Sequence, residues 1–199
     1  MTSQTSDLAR SVPSRRDFPQ RLLEEFGGAA AGRADVAYSF VDSPIGRLAV
    51  AATKRGLVRL AFRGERVEDF VWELSETISP RVIESHSALD KIRRQLDEYF
   101  EGRRSRFEMP IDWQLTRGFA LKVLKATSRI PFGEVSTYSQ VAARAGNPKA
   151  YRAAGNALGS NRIPIVVPCH RVLHADGGLG GYGGGLDMKE FLLRLEGSF

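Results

Sequence analysis

The chain has 199 residues, 42% hydrophobic and 26% charged, with a formal net charge of +6. That length holds one or two small domains with real cores, and the composition is that of an ordinary water-soluble globular protein. No apolar run approaches the ~20 residues of a membrane span, and the polar N-terminus has no secretory apolar core, so a cytoplasmic protein is expected.

Residues 1–34 read as an extension. Phe18 to Phe26 is a short amphipathic helix candidate, and Gly27 to Gly32 is a flexible joint. Residues 35–109 read as a small α/β domain. Strands are expected at Val36–Val41, Arg47–Thr53 and Leu57–Phe62, separated by the turns Ser43–Gly46 and Lys54–Gly56. Short turns between three strands imply an antiparallel meander. A helix over Leu89–Tyr99 follows, with Leu89, Ile92, Leu96 and Phe100 on one stripe, and then a basic loop, Arg103–Arg106. Nothing is assigned between Phe62 and Leu89 except His86, read as a surface or helix-start histidine.

Residues 110–199 read as a mainly helical domain. A helix is expected from Thr116 to Ile130, stopped by Pro131 and Gly133. Ser136 or Thr137 caps a second helix through Arg144, which Gly146 closes. Asn147-Pro148 then opens a third to Leu158. The last two form a helix–turn–helix unit by size, though any two packed helices give that pattern. The third helix is small-sided, with Ala150, Ala153, Ala154, Ala157 and Leu158 as its apolar stripe. A final helix is expected over Met188–Leu195, with Met188, Phe191, Leu192 and Leu195 inward. The basic excess lies here: residues 110–199 hold 11 Lys+Arg against 6 Asp+Glu, whereas residues 1–109 hold 18 against 17. Such an excess suits a polyanionic partner and also a normally solvated surface.

The lone cysteine, Cys169, sits in Ile163-Pro164-Ile165-Val166-Val167-Pro168-Cys169-His170-Arg171-Val172-Leu173. One cysteine makes no internal disulfide, which fits a reducing compartment. A lone cysteine among apolar residues is compatible with simple burial. Pro168, however, places Cys169 at the exit of what reads as a buried strand, and His170 and Arg171 put a base and a charge beside it, which favours thiolate. Seven glycines between Gly177 and Gly185 follow. Without the strand and helix of a phosphate loop, they read as a mobile loop or as a close-approach wall for a ligand.

Pro168-Cys169-His170-Arg171-Val172 resembles the active-site signature of the O6-alkylguanine-DNA alkyltransferases, and the resemblance extends over about residues 35–199, with matched spacing from Tyr138 to Glu196. It implies an α/β (α+β) protein: a small antiparallel-sheet domain with helices, then a helical domain carrying a helix-turn-helix. It implies that Cys169 accepts an alkyl group, that His170 takes its proton through a bridging water, that Glu196 orients His170, and that Asn161 holds the turn; a water relay suits neighbouring side chains, which point apart on an extended segment. Tyr138 would donate to the flipped guanine, the backbones of Cys169 and Val172 would accept its amine, Gly183 N–H would serve its oxygen, and Pro164 and Tyr182 would be apolar walls. Arg152 would enter the base stack from the minor groove, with Ala150, Tyr151, Ala153 and Gly155 against the DNA. The chain departs from the family in Tyr151, where small alanine is usual, and in Gly183, where serine is common. Some relatives bind zinc in the first domain; with no cysteine before Cys169 that site cannot be built, and neither metal nor cofactor is expected. The implied protein is a monomeric, single-use DNA repair enzyme acting on duplex DNA. A Cys/His/Glu set also serves cysteine hydrolases and acyltransferases, and a helix pair also serves regulators that bind DNA without modifying it.

Overall fold

The structure, a computed structural model, describes residues 34–199. The helix candidate Phe18–Phe26 and the glycine joint lie outside the described residues.

A four-stranded sheet occupies the first half. Its strands are β1 (Val36–Val41), β2 (Leu48–Thr53), β3 (Gly56–Ala61) and β4 (Val82–Glu84), in the order β3-β2-β1-β4. The expected antiparallel meander is β1-β2-β3. The fourth strand runs parallel to β1, so the sheet is mixed. That pairing needs a crossover, which the unforeseen helix α1 (Val67–Thr77) supplies.

Both sheet faces are covered. Phe70 and Leu74 of α1 pack with Val36, Ala51, Val58 and Ala61 on one face. Leu48, Val50, Leu57 and Leu60 face the other way, into a core shared with α2 (Asp90–Phe100) and the helical half. The simple alternation expected of β3 fails because of a bulge. Ala51 pairs with Arg59 but Ala52 with Leu57, leaving Val58 as the extra residue. On α2 the inward residue is Tyr99, fully buried, rather than the half-buried Phe100. His86 is an ordinary loop histidine bonded to Ser39 Oγ at 2.7 Å.

The free edge of β3 is closed by the second half. Leu57 N–H donates to Pro110 O at 2.9 Å, and Leu60 N–H to Arg162 O at 2.8 Å. Gly56 permits this approach, because a Cβ there would stand 2.1 Å from Pro110 O.

Four helices build the second half: α3 (Gly118–Thr127), α4 (Tyr138–Arg144), α5 (Tyr151–Gly159) and α6 (Leu186–Leu195). Helix α3 is shorter than expected, because Trp113–Leu115 forms a separate 3₁₀ turn and Arg117 is extended. Thr137 caps α4 through a reciprocal pair with Gln140. Asn147-Pro148 does not open α5 directly. Ala150 N–H donates to Asn147 O at 3.0 Å, closing one extra turn before the helix starts at Tyr151.

The faces of α5 and α6 correct two sequence stripes. On α5 only Ala154, Ala157 and Leu158 are buried; Tyr151, Arg152 and Ala153 are exposed, and Ala150 and Gly155 are half-buried. On α6 Phe191 points outward at 36% exposure while Lys189 is fully buried. The spacing 189, 192, 193, 196 is itself helical, so the buried face takes the lysine in place of the phenylalanine.

Candidate active site

The segment before the cysteine is no strand. Val166 N–H donates to Pro164 O at 2.9 Å across Ile165, whose φ is 72°. This is a γ-turn of the rarer positive-φ kind, a conformation a β-branched residue rarely adopts. Cys169 N–H donates to Val167 O at 2.8 Å across Pro168 (φ −81°, ψ 66°), the commoner inverse γ-turn. Cys169, His170 and Arg171 then form one 3₁₀ turn that leads into β6 (Val172–Leu173), which pairs with β5 (Ser136–Thr137). Full burial of Ile165 and Val167 offsets the strain, at about 1.5–3 kcal/mol for each large apolar side chain buried.

Asn161 clamps this loop. Its Nδ2 donates to Val167 O at 2.9 Å and to Cys169 Sγ at 3.2 Å, and its Oδ1 accepts from Ile163 N–H at 3.0 Å. Arg162 carries the bond to β3, so the sheet braces the same segment.

Glu196, just past α6, is the electrostatic hub. Its Oε1 lies 2.9 Å from His170 Nε2, 2.9 Å from Arg171 Nη2 and 2.6 Å from the Tyr99 hydroxyl. Its Oε2 accepts from Arg171 Nε at 2.7 Å. Burial alone would raise the Glu196 carboxyl, but the hydrogen bonds from His170 and Arg171 win and bring it down to about 2. An ionised carboxylate only accepts, so the proton of neutral His170 sits on Nε2 and Nδ1 carries the lone pair. Burial lowers the His170 pKa, against the pull of Glu196, and keeps the imidazole neutral near pH 7.

The cysteine departs from the sequence expectation. Burial raises its thiol pKa, and the Asn161 hydrogen bond and the Lys189 charge only partly oppose that. Arg171 gives the sulfur no help because it is spent on Glu196 and on Ile130 O. The resting group is therefore a thiol, and a base must take its proton as it reacts.

A cleft of about 290 Å³ reaches Cys169 between Tyr138, Gly155, Leu158, Tyr182 and Gly183. A wider surface cleft of about 590 Å³ shares Tyr138 and Gly155 with it and is flanked by Tyr151 and Arg152. The two clefts thus meet at Tyr138 and Gly155. Tyr138 is half-buried, and burial and the nearby sulfur both raise its pKa, so it remains a proton donor. The glycine loop folds over it: a Cβ on Gly180 would lie 2.5 Å from the Tyr138 hydroxyl. Pro164 borders Cys169 on a neighbouring cleft of about 300 Å³, which Phe62 also lines. Val172 is fully buried and its carbonyl accepts from Lys189 Nζ at 2.7 Å.

Two site residues escape the sequence reading. Tyr99 looks like a plain helix residue, and Lys189 looks like a surface charge. Lys189 Nζ donates to Val172 O and also to Leu179 O, tying the cysteine segment to the glycine loop. Its burial lowers its pKa to about 8.

A thiol held by an amide clamp, with a neutral imidazole oriented by a carboxylate and an open cleft beside it, is an arrangement in which a cysteine can act as a nucleophile. The comparisons with known proteins give the particular kind. Residues 36–113 match the family model described as 6-O-methylguanine DNA methyltransferase, ribonuclease-like domain, and residues 118–198 match its DNA binding domain. The chain is similar to the methylated-DNA–protein-cysteine methyltransferase of Methanosarcina barkeri, 41% identical over 80% of this chain and 96% of that protein. It is also similar to that of Mycolicibacterium paratuberculosis, 42% identical over 81% and 92%. Among solved structures, Mycobacterium tuberculosis OGT in complex with DNA superposes with a TM-score of 0.69 at 38% identity, over 81% of this chain and 93% of that one. The chain belongs to the O6-methylguanine DNA methyltransferase family. No helix among the described residues is long and apolar enough to cross a membrane.

Proposed function

We propose that this protein repairs duplex DNA by moving the alkyl group of O6-alkylguanine irreversibly onto Cys169. The observation that supports the reading is Cys169 lining a cleft that adjoins, through Tyr138 and Gly155, the wider cleft lined by Arg152, with the next residue, His170, held by Glu196.

The target atom is out of reach inside a duplex, so the nucleotide must be extruded, at a cost of a few kcal/mol. Helix α5 and the residue that caps it present Ala150, Tyr151, Ala153 and Gly155 to the minor groove, where the alanines and the glycine allow close approach. Arg152 fills the vacated stack and offsets part of the cost. The base then enters the cleft. Tyr138 donates to its ring nitrogen as negative charge develops, and Gly183 N–H serves its oxygen. The carbonyls of Cys169 and Val172 take the exocyclic amine; Lys189 uses one lone pair of the Val172 carbonyl and leaves the other. Pro164 and Tyr182 form apolar walls.

His170 then acts as base, taking the thiol proton at Nδ1 through a bridging water, while Asn161 holds the sulfur in line. The S–C bond forms as the C–O6 bond breaks, and the electron pair leaves with guanine. The product is a thioether without a carbonyl for water to attack, so each molecule acts once. The reaction balances with no further co-reactant. We read residues 35–109 as the bracing domain, 110–199 as the DNA-binding and catalytic domain, and 1–34 as an extension. We place the protein in the cytoplasm, where a lone thiol stays reduced.

One mass spectrum tests the central claim. After mixing with duplex DNA carrying O6-methylguanine, the Cys169 peptide gains one CH₂, with at most one transfer per protein; an unmodified Cys169 would overturn it. Arg152→Ala slows repair of duplex DNA by about tenfold or more while leaving reaction with the free alkylated base nearly unchanged, since only the duplex requires extrusion. Equal slowing would remove Arg152 from that role.

A further inference from the structure

Two polar atoms beside Cys169 are buried with no hydrogen-bond partner among the described residues: His170 Nδ1 and the Tyr182 hydroxyl. Buried polar groups nearly always have partners, so two such atoms at one site mark a place where something polar binds. The two rings meet edge to face, with centroids 6.4 Å apart and planes at 85°. Tyr182 also lines the cleft with Cys169.

The chemistry of the three groups is complementary. His170 Nδ1 offers a lone pair and no proton, because Glu196 holds the proton on Nε2. Burial first, then the nearby Cys169, Tyr99 and Glu196, keep Tyr182 protonated, so its hydroxyl can donate. The Cys169 thiol also donates. One water within reach of the three would satisfy them all, accepting from the thiol and from the hydroxyl and donating to Nδ1.

We propose that Tyr182 is a positioning residue for the proton transfer, its hydroxyl holding the single water that joins the Cys169 thiol to His170 Nδ1. The inference rests on Cys169 being the nucleophile. As the sulfur reacts, the thiol proton passes to the water and a water proton passes to Nδ1. The imidazolium formed is paired with Glu196. Tyr182 gives up no proton; it fixes the direction in which the water donates.

The other polar groups facing the site are already engaged. The Tyr99 hydroxyl donates to Glu196, and Arg171 donates to Glu196 and to Ile130 O. Lys189 is taken by two carbonyls. Asn161 Nδ2 is taken by Val167 O and Cys169 Sγ. The Tyr138 ring lies tilted against His174, with centroids 5.2 Å apart and planes at 43°, and its hydroxyl is kept for the incoming base.

Tyr182→Phe tests this, because it keeps the aromatic wall and deletes only the hydroxyl. In the full chain, two rates are followed against pH: alkylation of Cys169 by iodoacetamide, and single-turnover methyl transfer from duplex DNA. Both should fall by about tenfold near pH 7, the effect of one lost hydrogen bond in the reacting state. The gap should close at high pH, where the thiol ionises without a relay. A purely structural role would lower the rate by one factor at every pH, and that outcome, or no change, overturns the proposal. The wild-type protein gives a check that needs no variant. Iodoacetamide alkylation should slow in D₂O near pH 7 with a curved dependence on deuterium fraction, as two protons move; a rate independent of deuterium overturns the relay. Should wild-type Cys169 behave this way yet take no methyl group from DNA, the relay stands and the repair reading falls.

Discussion

Two loops meet at Cys169, and they are built on opposite principles. The segment 161–171 is buried and over-bonded: two γ-turns, the Asn161 clamp and the Glu196 ion pairs fix it. It even holds a buried isoleucine at positive φ. The glycine loop, 177–185, is largely exposed and positions by omission, with Gly180 lying where any Cβ would strike Tyr138. The nucleophile needs a set direction, and strain offset by packing supplies it. The substrate side needs room, and missing side chains supply that. Lys189 is the joint between the two.

If that contrast is right, damage to the buried loop should cost stability and rate together, and damage to the glycine loop mostly rate. Glu196→Gln should be the most severe, on the order of 3 kcal/mol, since it leaves Arg171 buried against a neutral partner. Its pH signature has a definite sign. The folded pKa of about 2 lies below the ordinary 4.5, so Glu196 stabilises the fold at neutral pH and that contribution is lost as pH falls from about 4.5 towards about 2. Urea titrations should therefore show wild type and variant converging in acid; a constant gap would contradict the ion-pair account.

Asn161→Ala should lower stability by about 2 kcal/mol and methyl transfer by about a hundredfold, because Ile163 N–H loses its partner, Val167 O keeps only the bond from Cys169 N–H, and the sulfur loses its donor. A rate loss without a stability loss would mean the loop holds itself. Lys189→Met keeps the aliphatic stem and drops the ammonium, leaving two carbonyls to find other partners. The cost should be about 1–2 kcal/mol by thermal melt, with faster proteolysis within 177–185. Intact protection of that loop would disprove the joint.

The smallest expected effects separate two glycines. Gly180→Ala meets both a positive φ and the Tyr138 hydroxyl, so it should cost about 1 kcal/mol and slow transfer severalfold by displacing Tyr138. Gly181→Ala meets neither, and should stay within about 0.5 kcal/mol of wild type with transfer unchanged. Equal behaviour of the pair would mean that the loop adapts freely.

The parts legible in the sequence are those set by neighbours along the chain. The strands β1 to β3, the Thr137 cap and the turn glycines were all readable from periodicity and local chemistry. Helix α1 and the parallel β4 were missed, because a three-residue strand has no period and gains its meaning only from pairing with β1. The strand expected before Cys169 was wrong for a related reason. An apolar run reads as extended, yet Asn161 and the packing of Ile165 bend it into turns. Tyr99 joined the site unannounced, 97 residues from Glu196 in sequence.

By itself, the order of residues determined which atoms could do chemistry: one sulfur, a histidine beside it, a glutamate a helix away and a run of glycines. It also carried the family likeness, which depends on residue identity and spacing and not on the fold. Only the tertiary structure decided the state of those atoms. Burial made Cys169 a resting thiol and His170 a neutral base, Glu196 chose the tautomer, and Lys189 turned from a surface charge into an internal tie. Ionisation and hydrogen bonding depend on the solvent removed and the partners brought close, and neither exists until the chain has folded.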